Sequence, residues 1–463
     1  MQILLFDSLS RKKRKFIPID KNDVRIYACG PTVYDYAHIG NARMAVVTDL
    51  LVRVLETSFK RVRFVSNITD VDDKIIEAAR SSEKPINEIT AEFQKIYNED
   101  MNNLGVRKPH QQPKATDHIS EMIEMIKNLI KNGCAYVSKK NVIFDVQKYK
   151  FYGCLSRRTK DQQIAGSRVE VANYKKNPED FILWKPSKDD EPFWDSPWGK
   201  GRPGWHIECS AMSKKCLGMP FDIHCGGVDL TFPHHENEIA QSCSSVAPNS
   251  KPSSFCNYWF HNGFVTVSGE KMSKSIGNIK LVNKILEKFD GSVIRFSLLT
   301  SHYRQPLDWS EEILKQSKKT LLRFKRLIDS HRPEEITQNY NDEKYFNDFL
   351  LALYDDLNTP KALAKLNQWF EIIRKVNLEE KKNILTSIIK SLGVLGINLQ
   401  NLEEKQSSVD KNLENKILQM IKERQNAREN KNFEKADNIR DKLKKLNVEI
   451  EDTIDGTNWK KND

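Results

Sequence analysis

The chain predicts an α/β fold: a parallel sheet of Rossmann type, interrupted by an inserted subdomain and followed by a helical bundle and a small C-terminal module. Three observations carry this. VRIYAC (Val24 to Cys29) reads as a buried strand, NARMAVVTDLLVRVLETS as a helix and RVRFVSNIT as a second strand, and that order builds a parallel βαβ unit. A second strand–helix set, FDIHCGG then PHHENEIAQSC, returns far downstream. After about Asp308, long stretches without glycine repeat apolar residues at three and four, the period of helices packed on one face.

Taken in order, the first strand ends at Gly30-Pro31, and the first helix starts at about Asn41. DVDDKIIEAARSS opens another helix after the second strand. From roughly Lys114 to Trp198 the texture changes: CAYVSKKNVIFDVQKY predicts a hairpin, and KPSKDDEPFWDSPWGKGRPG, rich in Pro, Gly and Trp, predicts a long loop. YWFHNGFVTV runs as a strand into SGEKMSKSIGN. NLEEKQSSVDKN is a polar linker, after which two charged helices lead to a short strand and a turn. No internal repeat is visible.

At 463 residues the chain is long enough for several domains. Charged residues make up 30%, and mean hydropathy is −0.61, as expected of a soluble protein. Apolar runs are too short and too interrupted by charge to span a bilayer. The N-terminal MQILLFDSLSRKKRKF places apolar before basic residues, the reverse of a secretory signal, so a cytoplasmic location is expected. The eight cysteines contain no CxxC pair, which favours thiols or metal ligands over disulfides. A net charge of +11 favours a polyanionic partner, although a lysine- and asparagine-rich composition produces the same excess.

Two loops have chemistry written in them. In YACGPTVYDYAHIGNAR the helix start near Gly40-Asn41 offers amide donors and a positive dipole end to a phosphate. Gly40 lets a ligand approach the backbone, and His38 is a further donor, with a loop histidine of no catalytic role as the competing reading. In EKMSKSIGN, Lys271 and Lys274 stand three apart in a Gly-flanked loop that can close on a triphosphate. An ordinary solvated basic loop is the alternative, but the pentapeptide KMSKS is itself specific.

HIGN and KMSKS together resemble the paired signatures of class I aminoacyl-tRNA synthetases. CGPTVYD, GWHIECSAM, FDIHCGGVDLTFPHHENEIAQS, DDLNTPKALA and FEKADNIRDKL are similar to the cysteinyl-tRNA synthetase family, and the resemblance runs nearly the whole chain. One departure is Asn41, where the signature has histidine; asparagine still donates a hydrogen bond but carries no charge. The resemblance implies ATP-dependent ligation of L-cysteine to tRNA(Cys) through a cysteinyl-adenylate. His38, Gly40 and Asn41 would hold ATP, Lys271 and Lys274 would stabilise the departing pyrophosphate, and Mg2+ would accompany ATP.

The same resemblance implies one zinc ion per chain, bound by Cys29, Cys209, His234 and Glu238. His234 and Glu238, at i and i+4, share a helix face behind Pro233, whereas His235 and Glu236 are expected to point elsewhere. The spacing alone leaves open two buried cysteines and an exposed acidic helix. It does exclude a His-Glu-x-x-His helix, because the last position is Ile239. Zinc would separate thiol from hydroxyl where shape alone yields only about 1–3 kcal/mol, and Glu238 is expected to be the weakest ligand, yielding to substrate.

Thr69, at a strand's C-terminal edge, with Trp205 and Asp229 beside the predicted ligands, is expected to line the amino-acid pocket; core packing competes for each. The implied division is 1–115 and 199–260 for the two halves of the catalytic domain, 116–198 for the inserted connective subdomain and 261–308 for the KMSKS and stem-contact region. Residues 309–400 would be the tRNA-contacting bundle and 401–463 the anticodon-binding module, in a monomer with no membrane partner. Two alternatives stay open: a ligase joining cysteine to an amino sugar on the same catalytic domain, and a zinc hydrolase with a nucleic-acid-binding tail.

Overall fold

A computed structural model of the chain describes residues 2–159, 162, 173–273, 276–331, 343–403, 411–430, 432–446, 448–453 and 456–461. The chain opens with an antiparallel ribbon, β1 (Leu4–Asp7) and β2 (Lys12–Lys15). Next come β3 (Val24–Ala28), α1 (Ile39–Glu56), β4 (Val62–Ser66), α2 (Asp73–Ser82), α3 (Ile86–Asn103) and α4 (Ile119–Lys131). The strands β5 (Ala135–Ser138), β6 (Asn141–Phe144), β7 (Phe181–Pro186) and β8 (Gly201–Pro203) form an antiparallel sheet in that order. After them stand α5 (Trp205–Leu217), β9 (Phe221–Gly227), α6 (His234–Val246) and β10 (Cys256–Asn262).

The central sheet runs β10-β9-β3-β4, with every pair parallel. Both faces of the sheet are covered, so β9 and β10 are buried almost throughout, even at the polar positions Asp222, His224, His261 and Asn262. The register sets Tyr27 beside His224 and Ala28 beside Cys225, so the C-terminal ends of β3 and β9 lie side by side. In open α/β sheets ligands bind at that edge.

The hairpin expected within CAYVSKKNVIFDVQKY is β5–β6, turned at Lys139 and Lys140 with φ of 47° and 64°. Met122, Met125, Ile126 and Leu129 of α4 share a core with Ile207 and Met212 of α5 and Ile239 and Cys243 of α6.

Two buried arginines tie α1 to segments C-terminal to the sheet. Arg43 donates to the carbonyls of Gly263 at 3.1 Å, Phe264 at 2.7 Å and Gln305 at 2.7 Å, fastening the approach to KMSKS onto the helix that carries HIGN at its start. Arg295, in the helix Gly291–Leu298, meets Asp49 of α1 at 2.5 Å, and its Nε donates to the carbonyl of Leu395 at 2.5 Å. Leu395 ends the helix Leu378–Leu395, which packs on the helix Lys344–Tyr354, and that helix packs in turn on Thr359–Ile372, beyond the helix Glu311–Asp329.

Residues Asn401–Asp463 form a second unit. Its helices Lys411–Glu429 and Phe433–Lys445 and the antiparallel pair Val448–Thr453 and Gly456–Lys461 bury Ile417, Ile421, Ile439, Leu443 and Val448. The short strand and turn expected here is thus a full hairpin. Among the described residues no helix is long and apolar enough to cross a membrane.

Candidate metal and nucleotide site

Cys29, one residue past β3, and Cys209, in the second turn of α5, meet His234 and Glu238 from the first turns of α6. One ligand atom from each of the four lies within 4.8 Å of every other. All are buried, at 4%, 2%, 1% and 0% exposure respectively. The helical spacing of His234 and Glu238 brings Nε2 to 3.1 Å from Oε1, and the Cys29 thiol lies 3.4 Å from the same carboxylate oxygen. The tilted ring of Trp205 stacks on His234 with centroids 4.4 Å apart, and Nδ1 of His206 lies 3.0 Å from Nδ1 of His234.

The expectation that His235 points elsewhere is wrong. It faces the quartet: its Nε2 lies 3.4 Å from the Cys29 sulfur and 3.9 Å from Glu238. Gly226 makes room for the ring, since a Cβ there would fall 2.5 Å from Cε1 of His235. Glu236 does turn away, accepting amide hydrogens from Gly153, Leu155 and Ser156. His224, not among the residues expected at the site, places Nε2 2.9 Å from Glu238 and stacks on Trp259. Cys29, His224, His235 and Glu238 therefore make a second set of four with metal-ligand spacing. A histidine two residues from Asp222 within a strand buried almost throughout was the available signal.

The chemistry of the donors suits a metal ion. Burial pushes the His234 imidazole down to about 3, so it is neutral with a lone pair to give. Burial, together with Cys209 and Glu238 nearby, pushes the Cys29 thiol well up. Glu238 is a fully buried carboxylate whose side-chain partners are histidines and a thiol, with neither lysine nor arginine among those described. Buried charge of that kind is normally paired or bound to metal. His224 Nδ1 is likewise buried with no hydrogen-bond partner among the described residues.

The nucleotide side is expected at the start of α1, the helix that follows β3 and Cys29. His38 caps α1: its Nδ1 accepts from the amides of Gly40 at 3.1 Å and Asn41 at 3.3 Å, and the Asn41 side chain accepts from the His38 amide at 3.1 Å. The two amides expected to await a phosphate are thus already taken, and Asn41 closes a capping box. An accepting Nδ1 leaves the proton of neutral His38 on Nε2, which makes that atom a donor. A Cβ on Gly40 would lie 2.9 Å from the His38 ring and 3.5 Å from Met272, so HIGN and KMSKS are in contact. The chain after KMSKS reinforces this, with the Ile39 amide on the Lys280 carbonyl and the Val282 amide on the Ala37 carbonyl, both at 2.9 Å.

Lys271 is exposed, with Nζ 4.3 Å from the ring centroid of Phe264. Lys274 lies outside the described residues. Thr69 is buried, and its hydroxyl donates to Glu208 at 3.0 Å, a carboxyl pushed well up by burial. Trp205, with His206 and Glu208, lines a cleft closed on its other side by Asp73, Lys185 and Arg202. Asp229 stands exposed on the turn Val228–Thr231, apart from the quartet.

Fold and paired signatures together define a class I aminoacyl-tRNA synthetase, and comparison with known proteins agrees. A family model described as "tRNA synthetases class I (C) catalytic domain" matches residues 15–319, and a DALR domain matches residues 348–400. Methionyl-tRNA synthetase of Mycobacterium tuberculosis, solved with methionyl-adenylate, superposes with a TM-score of 0.56 at 14% identity, over 81% of this chain and 89% of that one, a likeness of fold. Cysteine–tRNA ligase of Maricaulis maris is 49% identical over 100% of this chain and 99% of its own length. That of Pelagibacter ubique is 48% identical over 99% of each. The chain belongs to the cysteine–tRNA ligase family. Both relatives match through the C-terminal module, which an amino-sugar ligase would lack, and neither is a hydrolase.

Proposed function

We propose that the chain charges tRNA(Cys) with L-cysteine using ATP and Mg2+, and that one zinc ion in the Cys29–Cys209–His234–Glu238 quartet selects the substrate thiol. The observation that carries this is the meeting of two thiols, an imidazole and a carboxylate at the ligand-binding edge of a parallel sheet, in a chain whose HIGN helix start follows the same first strand. When bound, zinc supplies a soft centre for a thiolate that a hydroxyl matches poorly. We favour this quartet over the one with His224 and His235 because it brings two sulfur donors together. His224 then holds the second oxygen of Glu238 from behind, and outer partners of that kind orient metal ligands.

Trp205 fixes the His234 ring by stacking on it and forms the wall against the amino acid. His38 presents Nε2–H to a phosphate, while Asn41 keeps His38 oriented by holding its backbone. The cysteine carboxylate attacks the α-phosphorus of ATP, and pyrophosphate leaves as the adenylate forms. A terminal ribose hydroxyl of tRNA then attacks the acyl carbon, and AMP leaves. Lys271 and Lys274, carried by the loop that touches Gly40 through Met272, neutralise charge on the departing pyrophosphate. The bundle at 309–400 and the module at 401–463 bind the tRNA of a monomeric, cytoplasmic enzyme.

Charging of tRNA(Cys) with labelled cysteine is the direct test, and failure to charge it overturns the reading. Lys274→Ala should slow cysteine-dependent ATP–pyrophosphate exchange by about 10²–10³-fold, as expected for losing one strong electrostatic stabiliser. Near-normal exchange in that variant contradicts the role given to Lys274.

A further inference from the structure

We propose that the β1–β2 ribbon is a docking surface for the phosphate backbone of tRNA, through Arg11, Lys12 and Lys15. The inference rests on the function proposed for the chain. Residues Arg11 to Lys15 read RKKRK, five cations in succession, and the structure divides them by role. Arg14 turns inward, 2.8 Å from Asp7 and 4.4 Å over the Tyr258 ring. Lys13 pairs with Asp355 at 2.5 Å. Arg11, Lys12 and Lys15 are exposed and have no acidic partner among the described residues.

These three cations stand on a rigid support. The ribbon is stitched to β10 by the Ser8 amide on the Trp259 carbonyl at 2.9 Å and the Trp259 amide on Asp7 at 3.0 Å. The Phe6 amide donates to Asp356 at 2.8 Å, and Phe16 packs 5.2 Å from Tyr258. Holding cations in place beforehand removes much of the ordering cost of binding.

The ribbon's position ties it to the site. Its turn begins at Ser8, whose hydroxyl lies 2.8 Å from His261, and the other ring nitrogen of His261 lies 2.7 Å from His235. The turn therefore sits beside the C-terminal half of β10, toward the side of the sheet that takes the substrates, whereas Lys15 lies by the strand's first half, its carbonyl accepting from the Tyr258 hydroxyl at 2.9 Å. Charges of one sign with no acidic partner among the described residues, carried on a ribbon of a chain with net charge +11, suit the repeating phosphates of an RNA.

The test is the salt dependence of tRNA binding to the full chain, with a triple variant Arg11→Ala, Lys12→Ala, Lys15→Ala. Between about 50 and 200 mM salt, the slope of log K against log salt should shrink by about 2–3 in the alanine variant, and affinity near physiological salt should fall about tenfold. The KM for tRNA should rise with little change in kcat. The charge-keeping triple Arg11→Lys, Lys12→Arg, Lys15→Arg should retain the wild-type slope. An alanine variant with the wild-type slope and affinity overturns the proposal. Because the slope is read without turnover, absence of cysteine charging in the wild type refutes the proposed function separately.

Discussion

Cys209→Ser should release zinc and lower cysteine-dependent pyrophosphate exchange by at least about 10³-fold. Loss of an outer partner alone typically costs about 10–100-fold in metal affinity or activity, and loss of a ligand costs more. The exchange of sulfur for oxygen is nearly isosteric, and Cys209 sits fully within the core, its sulfur 3.6 Å from Asn67 Oδ1. The fold should therefore survive, and melting should stay close to wild type when both proteins are compared free of metal. Zinc per chain and exchange rate are the two readouts. A variant that keeps a full complement of zinc and exchanges within tenfold of wild type removes Cys209 from the ligand set.

Arg295→Met should destabilise the larger unit by about 3–5 kcal/mol, the usual cost of removing one partner from a buried ion pair. Asp49 would keep Arg53 at 2.7 Å and Arg107 at 3.3 Å, but both are partly exposed and lie on the solvent side of the pair. The Leu395 carbonyl would also lose its donor, adding the penalty of an unsatisfied buried group. Lysine should not rescue, since one ammonium cannot reproduce both the Nε and the Nη2 bonds of a guanidinium. Adding Asp49→Asn should recover little, because the carboxylate still pairs with Arg53 and Arg107 when Arg295 is gone. Denaturation midpoints of the four proteins measure this; an Arg295→Met midpoint equal to wild type contradicts the assignment.

How much was legible without coordinates depended on how local each feature is. The parallel βαβ unit comes from short-range periodicity, and the i, i+4 placement of His234 and Glu238 comes from helix geometry alone. Contacts that cross the sheet left weaker traces. His224 and His235 reach the quartet because β9 lies between β3 and β10 and because Gly226 leaves space beside it, facts of packing rather than of spacing. The helix start at His38 misled for a related reason: HIGN advertises open amides, yet the histidine folds back to cap them, and Asn41 completes the cap. The apolar face of α4, at the start of the inserted stretch, packs into the core shared with α5 and α6, a long-range contact that texture does not reveal. In RKKRK the sequence offers five like cations, and only packing separates the paired Arg14 and Lys13 from their exposed neighbours.

The measurement that bears most directly on the quartet is ATP–pyrophosphate exchange with cysteine and with serine, before and after zinc is removed by chelation. Shape alone would discriminate the two by about 10–200-fold. Expected is discrimination well beyond that range in the zinc-loaded protein, loss of cysteine-dependent exchange on chelation, and recovery on adding zinc back. A metal-stripped protein that still activates cysteine at the full rate and still rejects serine would contradict the assignment of selectivity to Cys29, Cys209, His234 and Glu238.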